Sequence, residues 1–184
     1  YEVENKRIAY DICPVNIVLN YYVKSLGLDY DDEGKIASTG TANNELLVTL
    51  NGISFYNEEA PKSLGLEWVD EKIFPLINSF NLDIKDILKT FVEHVAIQIT
   101  NIIGSDNKKS VLITGGGVYN KFLIERIKFH SKNNIVIPSK TIIEFKEALI
   151  FGFLGVLKIR GENNCLESVT GANKDHSSGK IYLP

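Results

Sequence analysis

Apolar residues recur at helical spacing through the middle of this chain. Between residues 84 and 103 they return every three or four positions, which predicts a helix with one buried face. Asp83 is the expected N-cap and Gly104 the expected C-cap. The positions of that face are Ile84, Ile87, Leu88, Phe91, Val95, Ile99, Ile102 and Ile103. The same spacing predicts a helix over 16–26, with Gly27 as its C-cap.

The second half alternates between strands and helices. Short β-branched runs predict strands at 111–114 and in NNIVIP, 133–138. Helices are expected from about 119 to 130 and over 144–159. The order strand, helix, strand, helix favours parallel strands joined by right-handed crossovers.

The remaining segments predict smaller elements. Two short strands are expected around a polar turn at residues 4–6, and loops with small helices over 29–65, one of them at 44–50. GSDNKKS, 104–110, is rich in turn residues. We therefore predict an α/β fold for residues 1–184 as a single domain, with a mainly parallel sheet and an antiparallel edge from the N-terminal strands.

Composition narrows the classes of partner and the compartment. The 184 residues carry a net charge of −3, so no basic surface for nucleic acid is indicated, and no apolar run approaches the ~20 residues of a membrane span. Cys13 and Cys165 lie far apart without a CxxC motif, which favours a reducing cytoplasm over a disulfide scaffold. The chain has no methionine and opens on a strand pair, so we expect a preceding segment.

Three consecutive glycines follow the strand in VLITGGGVYN, 111–120. In a parallel sheet this is the edge where ligands bind, beside the free N–H groups of a helix N-terminus. The residues match neither a P-loop nor GxGxxG. Two interpretations remain: the glycines admit a phosphate or nucleotide, or they form a tight turn that needs positive φ.

Two carboxylates are further candidates. Asp11 lies in AYDICPVN between a predicted strand and a helix, where it could project into a cleft or serve as a turn or N-cap residue. Glu147 lies among apolar residues of the last predicted helix, where a carboxylate is costly unless paired or used. The alternative for Glu147 is a position on the helix surface beside Lys146.

These motifs together resemble the carboxyl-terminal half of the anhydro-N-acetylmuramic acid kinase family. The colinear stretches are AYDICPVN, GLDYDDEGKIASTG, APKSLGLEW, LITGGGVYN, KEALIFGFLG and NCLESVTGA. The family is similar in fold to the sugar kinase, actin and heat-shock ATPase superfamily, in which two α/β domains close around ATP. The resemblance implies that this chain is the second domain of a longer parent.

The resemblance also implies roles for the candidate residues. Asp11 matches the general base that activates water for attack on the anomeric carbon of the 1,6-anhydro sugar, while O6 takes the γ-phosphoryl group of ATP. Glu147 matches a residue on the substrate side. The residues matched to the nucleotide are Gly115, Gly116, Gly117 and Asn120. The resemblance implies ATP and magnesium as cofactors. It also implies a cytoplasmic enzyme that acts in peptidoglycan recycling.

Two departures from the family pattern are present. The family commonly has Thr-Gly-Pro-Gly-Asn after the aspartate, whereas residues 12–16 are ICPVN, with Cys13 and Val15 at the glycine positions. The amino-terminal domain with its phosphate loop is also absent, so we expect the 184-residue chain by itself to be inactive. A non-catalytic nucleotide-binding or assembly module of the same superfamily, or an α/β interaction domain, remains an alternative, and a homodimer is left open.

Overall fold

A computed structural model of the chain describes residues 1–4, 6–104 and 110–182, which form an α/β structure. The strands are β1 (Glu2–Val3), β2 (Lys6–Arg7), β3 (Ser110–Leu112) and β4 (Asn134–Val136). The helices are α1 (Asn16–Lys24), α2 (Lys35–Thr39), α3 (Asn44–Asn51), α4 (Leu66–Trp68), α5 (Phe74–Asn78), α6 (Ile84–Ile103), α7 (Lys121–His130), α8 (Lys140–Ile159) and α9 (Glu167–Thr170). Short helical turns occupy Asp32–Gly34, Ser54–Asn57, Val69–Ile73 and Gly116–Tyr119.

The chain divides into two compact units. The smaller unit comprises Tyr1–Asp11, Glu59–Ser63 and Lys140–Pro184, and the larger unit comprises Ile12–Glu58 and Leu64–Ser139. Asp11 and Glu147 therefore belong to the smaller unit, whereas the three glycines belong to the larger one.

Helix α6 is the centre of the larger unit. Helices α1, α2, α3 and α7 all pack against it. Its bounds match the predicted helix, and Gly104 N donates to the carbonyl of Thr100 at its C-terminus. The fully buried apolar side chains of α6 are Leu88, Phe91, Val92, Val95 and Ala96. One amphipathic helix thus organises most of the core, as its apolar spacing predicts.

The parallel strand pair is confirmed. Strand β3 pairs with β4 in parallel register, with Val111 opposite Ile135, and α7 forms the crossover between them. The strand ends at Leu112, two residues earlier than predicted. Helix α7 begins at Lys121 because residues 116–119 form a separate short helical turn.

The predicted antiparallel edge is wrong. Strands β1 and β2 are antiparallel, but over the described residues they pair with each other in a sheet of their own. Each contributes two residues, with Glu2 opposite Arg7 and Val3 opposite Lys6. The predicted turn residue Asn5, and residues 105–109 of the turn-rich GSDNKKS segment, lie outside the described residues.

The smaller unit contains α8, α9 and an isolated bridge. Cys165 and His176 form an antiparallel bridge, and the Asn164 side chain donates to the carbonyls of Leu154 and Ser178. Helix α8 begins four residues before its predicted start. Helix α8 is apolar in composition. Even so, no helix in the described part of the chain, α8 included, is long and apolar enough to cross a membrane.

Candidate functional site

The first of the three glycines is required by backbone conformation. Gly115 has φ of +88°, in the region that favours glycine. Its carbonyl accepts from Val118 N at 3.1 Å, and the Gly117 carbonyl accepts from Asn120 N at 3.2 Å. Gly115 thus turns the chain out of the strand and into the helical turn that precedes α7.

Neither backbone conformation nor packing within the described structure requires glycine at the next two positions. Neither Gly116 nor Gly117 adopts a left-handed conformation. A β-carbon at Gly117 would meet no heavy atom of the described structure within 4 Å, and one at Gly116 would meet only Asn16 Nδ2, at 3.8 Å. The positive-φ interpretation therefore applies to Gly115, while Gly116 and Gly117 leave a backbone surface that a ligand can approach.

A cavity of about 520 Å³ lies beside this glycine turn in the larger unit. Its volume falls within the roughly 300–1,000 Å³ typical of small-molecule sites. The lining residues are Asn16, Leu19, Asn20, Tyr30, Asp31, Asp32, Glu33, Gly116, Val118, Tyr119, Asn120 and Lys121. Of the residues predicted from sequence, Gly116 and Asn120 meet here.

The loop 31–34 forms one wall of the cavity. The buried Asp31 carboxylate accepts from Ile36 N at 2.8 Å and from Ala37 N at 2.9 Å, so it holds the first turn of α2. Gly34 has φ of +76°, and a β-carbon there would lie 2.6 Å from Cβ of Phe122. The loop therefore lies directly against the start of α7, which sequence spacing gave no reason to expect.

Asn120 has a structural task in addition to its place at the cavity. Its side-chain oxygen accepts from Leu123 N at 2.9 Å and caps the N-terminus of α7. The sequence assigned Asn120 to the nucleotide, and that assignment stays a prediction. The cap fixes where α7 begins relative to the glycine turn.

Ion pairs connect the loop wall to α7. Lys121 Nζ lies 2.5 Å from Glu33 Oε1, and Lys35 Nζ lies 3.6 Å from Glu33 Oε2 and 2.5 Å from Asp32 Oδ2. The hydrogen bond from Lys121 holds the pKa of the Glu33 carboxyl below its ordinary value. The hydrogen bond to Asp32 likewise raises the pKa of Lys35. Charge on this wall is thus nearly balanced.

Helix α7 is also fixed to α6 from the opposite end. Glu93 of α6 is buried, with Arg126 Nε 2.7 Å from its Oε1 and His130 Nε2 2.9 Å from its Oε2. Arg126 and His130 lie in the second and third turns of α7, the helix that follows the glycine turn. A buried carboxylate with two such partners gives α7 a defined position on the core.

Cys13 stands at the start of the larger unit, where the family pattern commonly has glycine. Burial raises the pKa of its thiol to about 12, so the side chain remains neutral. It packs against the hydrophobic core. Cys13 therefore acts as a small apolar residue here rather than as a nucleophile.

Asp11 is exposed in the smaller unit, and its surroundings are defined. Its N–H donates to the Lys62 carbonyl at 3.2 Å, and Ser63 Oγ donates to its Oδ2 at 3.2 Å. The N-cap alternative is wrong, because α1 begins at Asn16 with Val15 as its N-cap. Sequence spacing alone could not identify Ser63 as a neighbour, since it lies 52 residues away.

Glu147 lies on α8, where every side chain is exposed or half-buried. Of the two interpretations of Glu147, the structure agrees with a position on the helix surface, and the apolar neighbours Leu149, Ile150 and Phe151 are themselves exposed. Its assignment to the substrate stays a prediction. Within the described residues, no group of three or more His, Cys, Asp or Glu side chains is placed to hold a metal ion.

Comparisons with known proteins agree with the motif order. The family profile described as anhydro-N-acetylmuramic acid kinase matches residues 2–184. Proteins of that name from Sulfurimonas denitrificans, Saccharophagus degradans and Coxiella burnetii are each 30% identical, over 95%, 98% and 97% of this chain. The alignments cover 51%, 51% and 50% of those proteins, so the chain spans about half the length of the curated relatives it matches. The chain belongs to the anhydro-N-acetylmuramic acid kinase family.

Proposed function

We propose that the protein containing this chain is an ATP-dependent kinase that opens 1,6-anhydro-N-acetylmuramic acid with water and phosphorylates O6. The observation that carries the proposal is the family match over residues 2–184, which includes Asp11, the glycine turn and Glu147. A cytoplasmic role in recycling cell-wall sugars is part of the same proposal.

In this reaction Asp11 is the general base. It takes a proton from a water molecule as the water oxygen bonds to the anomeric carbon and the bond from that carbon to O6 breaks. O6 then takes the γ-phosphoryl group, and ADP leaves. Asp11 is exposed, its backbone N–H donates to the Lys62 carbonyl, and its carboxylate accepts from Ser63 Oγ. This arrangement suits the task, because a base must be accessible to water and held in place.

The nucleotide is assigned to the cavity and the glycine turn. Gly116 and Gly117 expose backbone without a β-carbon, and the cavity beside them has the volume of a small-molecule site. Backbone N–H groups at such a turn can approach phosphate oxygens closely. Mg²⁺ enters the proposal bound to the phosphates of ATP, which is how kinases usually hold it.

Glu147 is assigned to the sugar side by family resemblance. Its exposed position on α8 leaves the carboxylate accessible to a polar substrate. Sugar hydroxyls are good hydrogen-bond donors to a carboxylate.

The proposal is tested with the protein at its natural length. Purified enzyme is given 1,6-anhydro-N-acetylmuramic acid and ATP in ¹⁸O-labelled water, and the product is examined by mass spectrometry. We expect one label in the sugar, at the anomeric hydroxyl, and none in the transferred phosphate. Label in free phosphate without sugar product would indicate ATP hydrolysis. ATP binding without any turnover would favour the non-catalytic alternative.

A further inference from the structure

Glu33 and Lys121 form an ion pair in the lining of the cavity described above. Glu33 belongs to the loop 31–34 and Lys121 is the first residue of α7, and both line the cavity with Gly116. Lys121 Nζ and Glu33 Oε1 are 2.5 Å apart. The ion pair therefore joins two separate elements at the edge of the proposed nucleotide site.

Both residues occupy unfavourable positions, Glu33 because of its backbone conformation and Lys121 because of its place at a helix N-terminus. Glu33 has φ of +59°, a conformation that non-glycine residues rarely adopt. Lys121 places a cation at a helix N-terminus, where the helix dipole favours anions. Strained or disfavoured residues of this kind persist where the surrounding structure holds them, and they cluster at functional sites. An anion near Lys121 offsets its unfavourable position, and Glu33 supplies that anion in this structure.

The ion pair is also easy to exchange. The Lys121 side chain is 72% exposed and that of Glu33 is 36% exposed, so water screens their attraction. If the Lys121 side chain moves away from Glu33, Lys35 Nζ remains 3.6 Å from Glu33 Oε2 as a second cationic partner. Neither carboxylate nor ammonium is then left buried without a partner.

We propose that Lys121 binds the phosphates of the nucleotide, exchanging Glu33 for them when the nucleotide enters the cavity. This inference rests on the proposed function, since it assumes that a nucleotide occupies this site. A polyphosphate carries more charge than one carboxylate and bonds strongly to ammonium groups. Glu33 then acts as a competitor that holds Lys121 in the absence of ligand.

The test compares ligands of increasing charge. Calorimetric titration of the natural-length protein with adenosine, ADP and ATP separates contacts to the nucleoside from contacts to phosphate. Lys121→Gln should weaken ATP binding about 10-fold and leave adenosine unchanged, because one charged hydrogen bond is lost. Glu33→Gln should strengthen ATP binding about 3-fold, again without an effect on adenosine, because the competitor is removed.

Matched controls are available on the same helix. Lys128 and Glu125 line a neighbouring groove but not this cavity. Lys128→Gln and Glu125→Gln change the net charge by the same amounts, and we expect ATP affinity within 2-fold of wild type. Thermal unfolding of each variant confirms that the fold is retained. Lys121→Arg keeps the charge and should retain most of the ATP affinity.

Several results would overturn the inference. If Lys121→Gln and Lys128→Gln have equal effects, the contribution is net charge and not a contact. If Lys121→Gln weakens the binding of adenosine as much as the binding of ATP, Lys121 contributes to the shape of the cavity and does not contact phosphate. Both outcomes leave the proposed function intact, because wild-type protein still binds ATP. Failure of wild-type protein to bind ATP at all would instead contradict the proposed function and this inference together.

Discussion

Gly34 lies so close to Phe122 that a β-carbon at residue 34 would be 2.6 Å from the β-carbon of Phe122. The two residues are far apart in sequence, and their contact sets the position of loop 31–34 against the first turn of α7. Loop residues Asp31–Glu33 and Lys121 at the start of α7 line the cavity, so the contact between Gly34 and Phe122 holds two parts of the cavity lining next to each other.

Replacing Gly34 should therefore be more destabilising than its backbone conformation alone requires. Gly34→Ala combines an unfavourable positive φ with a steric clash, and we expect a loss of roughly 3 kcal/mol. Gly27 has the same φ of +76° but a β-carbon there meets no described atom within 4 Å. Gly27→Ala should thus lose only about 1 kcal/mol, from conformation. Urea unfolding of both variants measures the difference, and equal losses would show that the close approach is relaxed in solution.

The glycine turn should separate into one structural position and two open ones. Gly115→Val forces a β-branched residue to positive φ and should destabilise the protein by about 2 kcal/mol. Gly116→Val places its side chain into open space beside the cavity, so stability should change by less than about 1 kcal/mol while ATP affinity falls at least 10-fold. Unfolding and calorimetric titration are run on the same samples. Unchanged ATP affinity for Gly116→Val would show that the turn is not a nucleotide site.

The sequence predicted features that are encoded within one segment and missed contacts between distant segments. Helix α6 and the β3–α7–β4 unit follow from apolar spacing and turn residues within the segment itself, and their bounds match closely. The contact between Gly34 and α7 depends on residues brought together by folding. No periodicity within either segment specifies it.

In the candidate site, too, the sequence predicted the features that lie within one segment and missed the contacts that depend on tertiary structure. The glycine turn was identified because strand, glycines and helix are consecutive. Ser63 beside Asp11 and Lys121 beside Glu33 were missed, because each pair is joined only by tertiary structure. Glu147 was judged from its apolar neighbours in sequence, but composition does not determine whether a helix face is covered.

His94 should make the stability of the larger unit dependent on pH. Its ring nitrogens lie 2.7 Å from Asn51 Oδ1 and 2.9 Å from the Tyr56 hydroxyl, in a fully buried position. Burial lowers the pKa of His94 to about 3, whereas the unfolded chain has the ordinary value near 6.5. Below pH 6.5 the unfolded state therefore binds a proton that the folded state does not, and stability falls as the pH falls towards 3.

The expected loss between pH 7.5 and pH 5 from this residue is about 2 kcal/mol. His94→Gln keeps a neutral hydrogen-bonding side chain and should remove that part of the pH dependence, at some cost in stability at pH 7.5. His176→Gln is the control, because His176 is exposed. Free energies of unfolding at both pH values measure the effect. An unchanged pH dependence in His94→Gln would mean that the imidazole is protonated without disruption of its contacts.

The 184-residue chain by itself should have no measurable kinase activity. It spans about half the length of its relatives, and a misplacement of reacting groups by about 1 Å already reduces rates roughly 100-fold. A coupled assay for ADP release, with the sugar present and absent, measures turnover, and the natural-length protein is the positive control. Sugar-dependent ADP release by the short chain, prepared without longer contaminants, would show that this half holds the whole catalytic site.

Asp11 and Ser63 should affect the rate of the natural-length enzyme to different degrees. Asp11→Asn removes the proposed base but keeps the size and shape of the side chain, so kcat should fall by about 10²- to 10⁴-fold with ATP affinity within a few-fold of wild type. Ser63→Ala removes the hydroxyl that donates to Asp11 Oδ2 but leaves the Lys62 carbonyl contact, and we expect a fall of about 10-fold. Because Ser63 acts through Asp11, the double variant should be no slower than Asp11→Asn alone. Independent, multiplicative losses would place Ser63 in a role of its own, and wild-type kcat in Asp11→Asn would remove Asp11 from the mechanism.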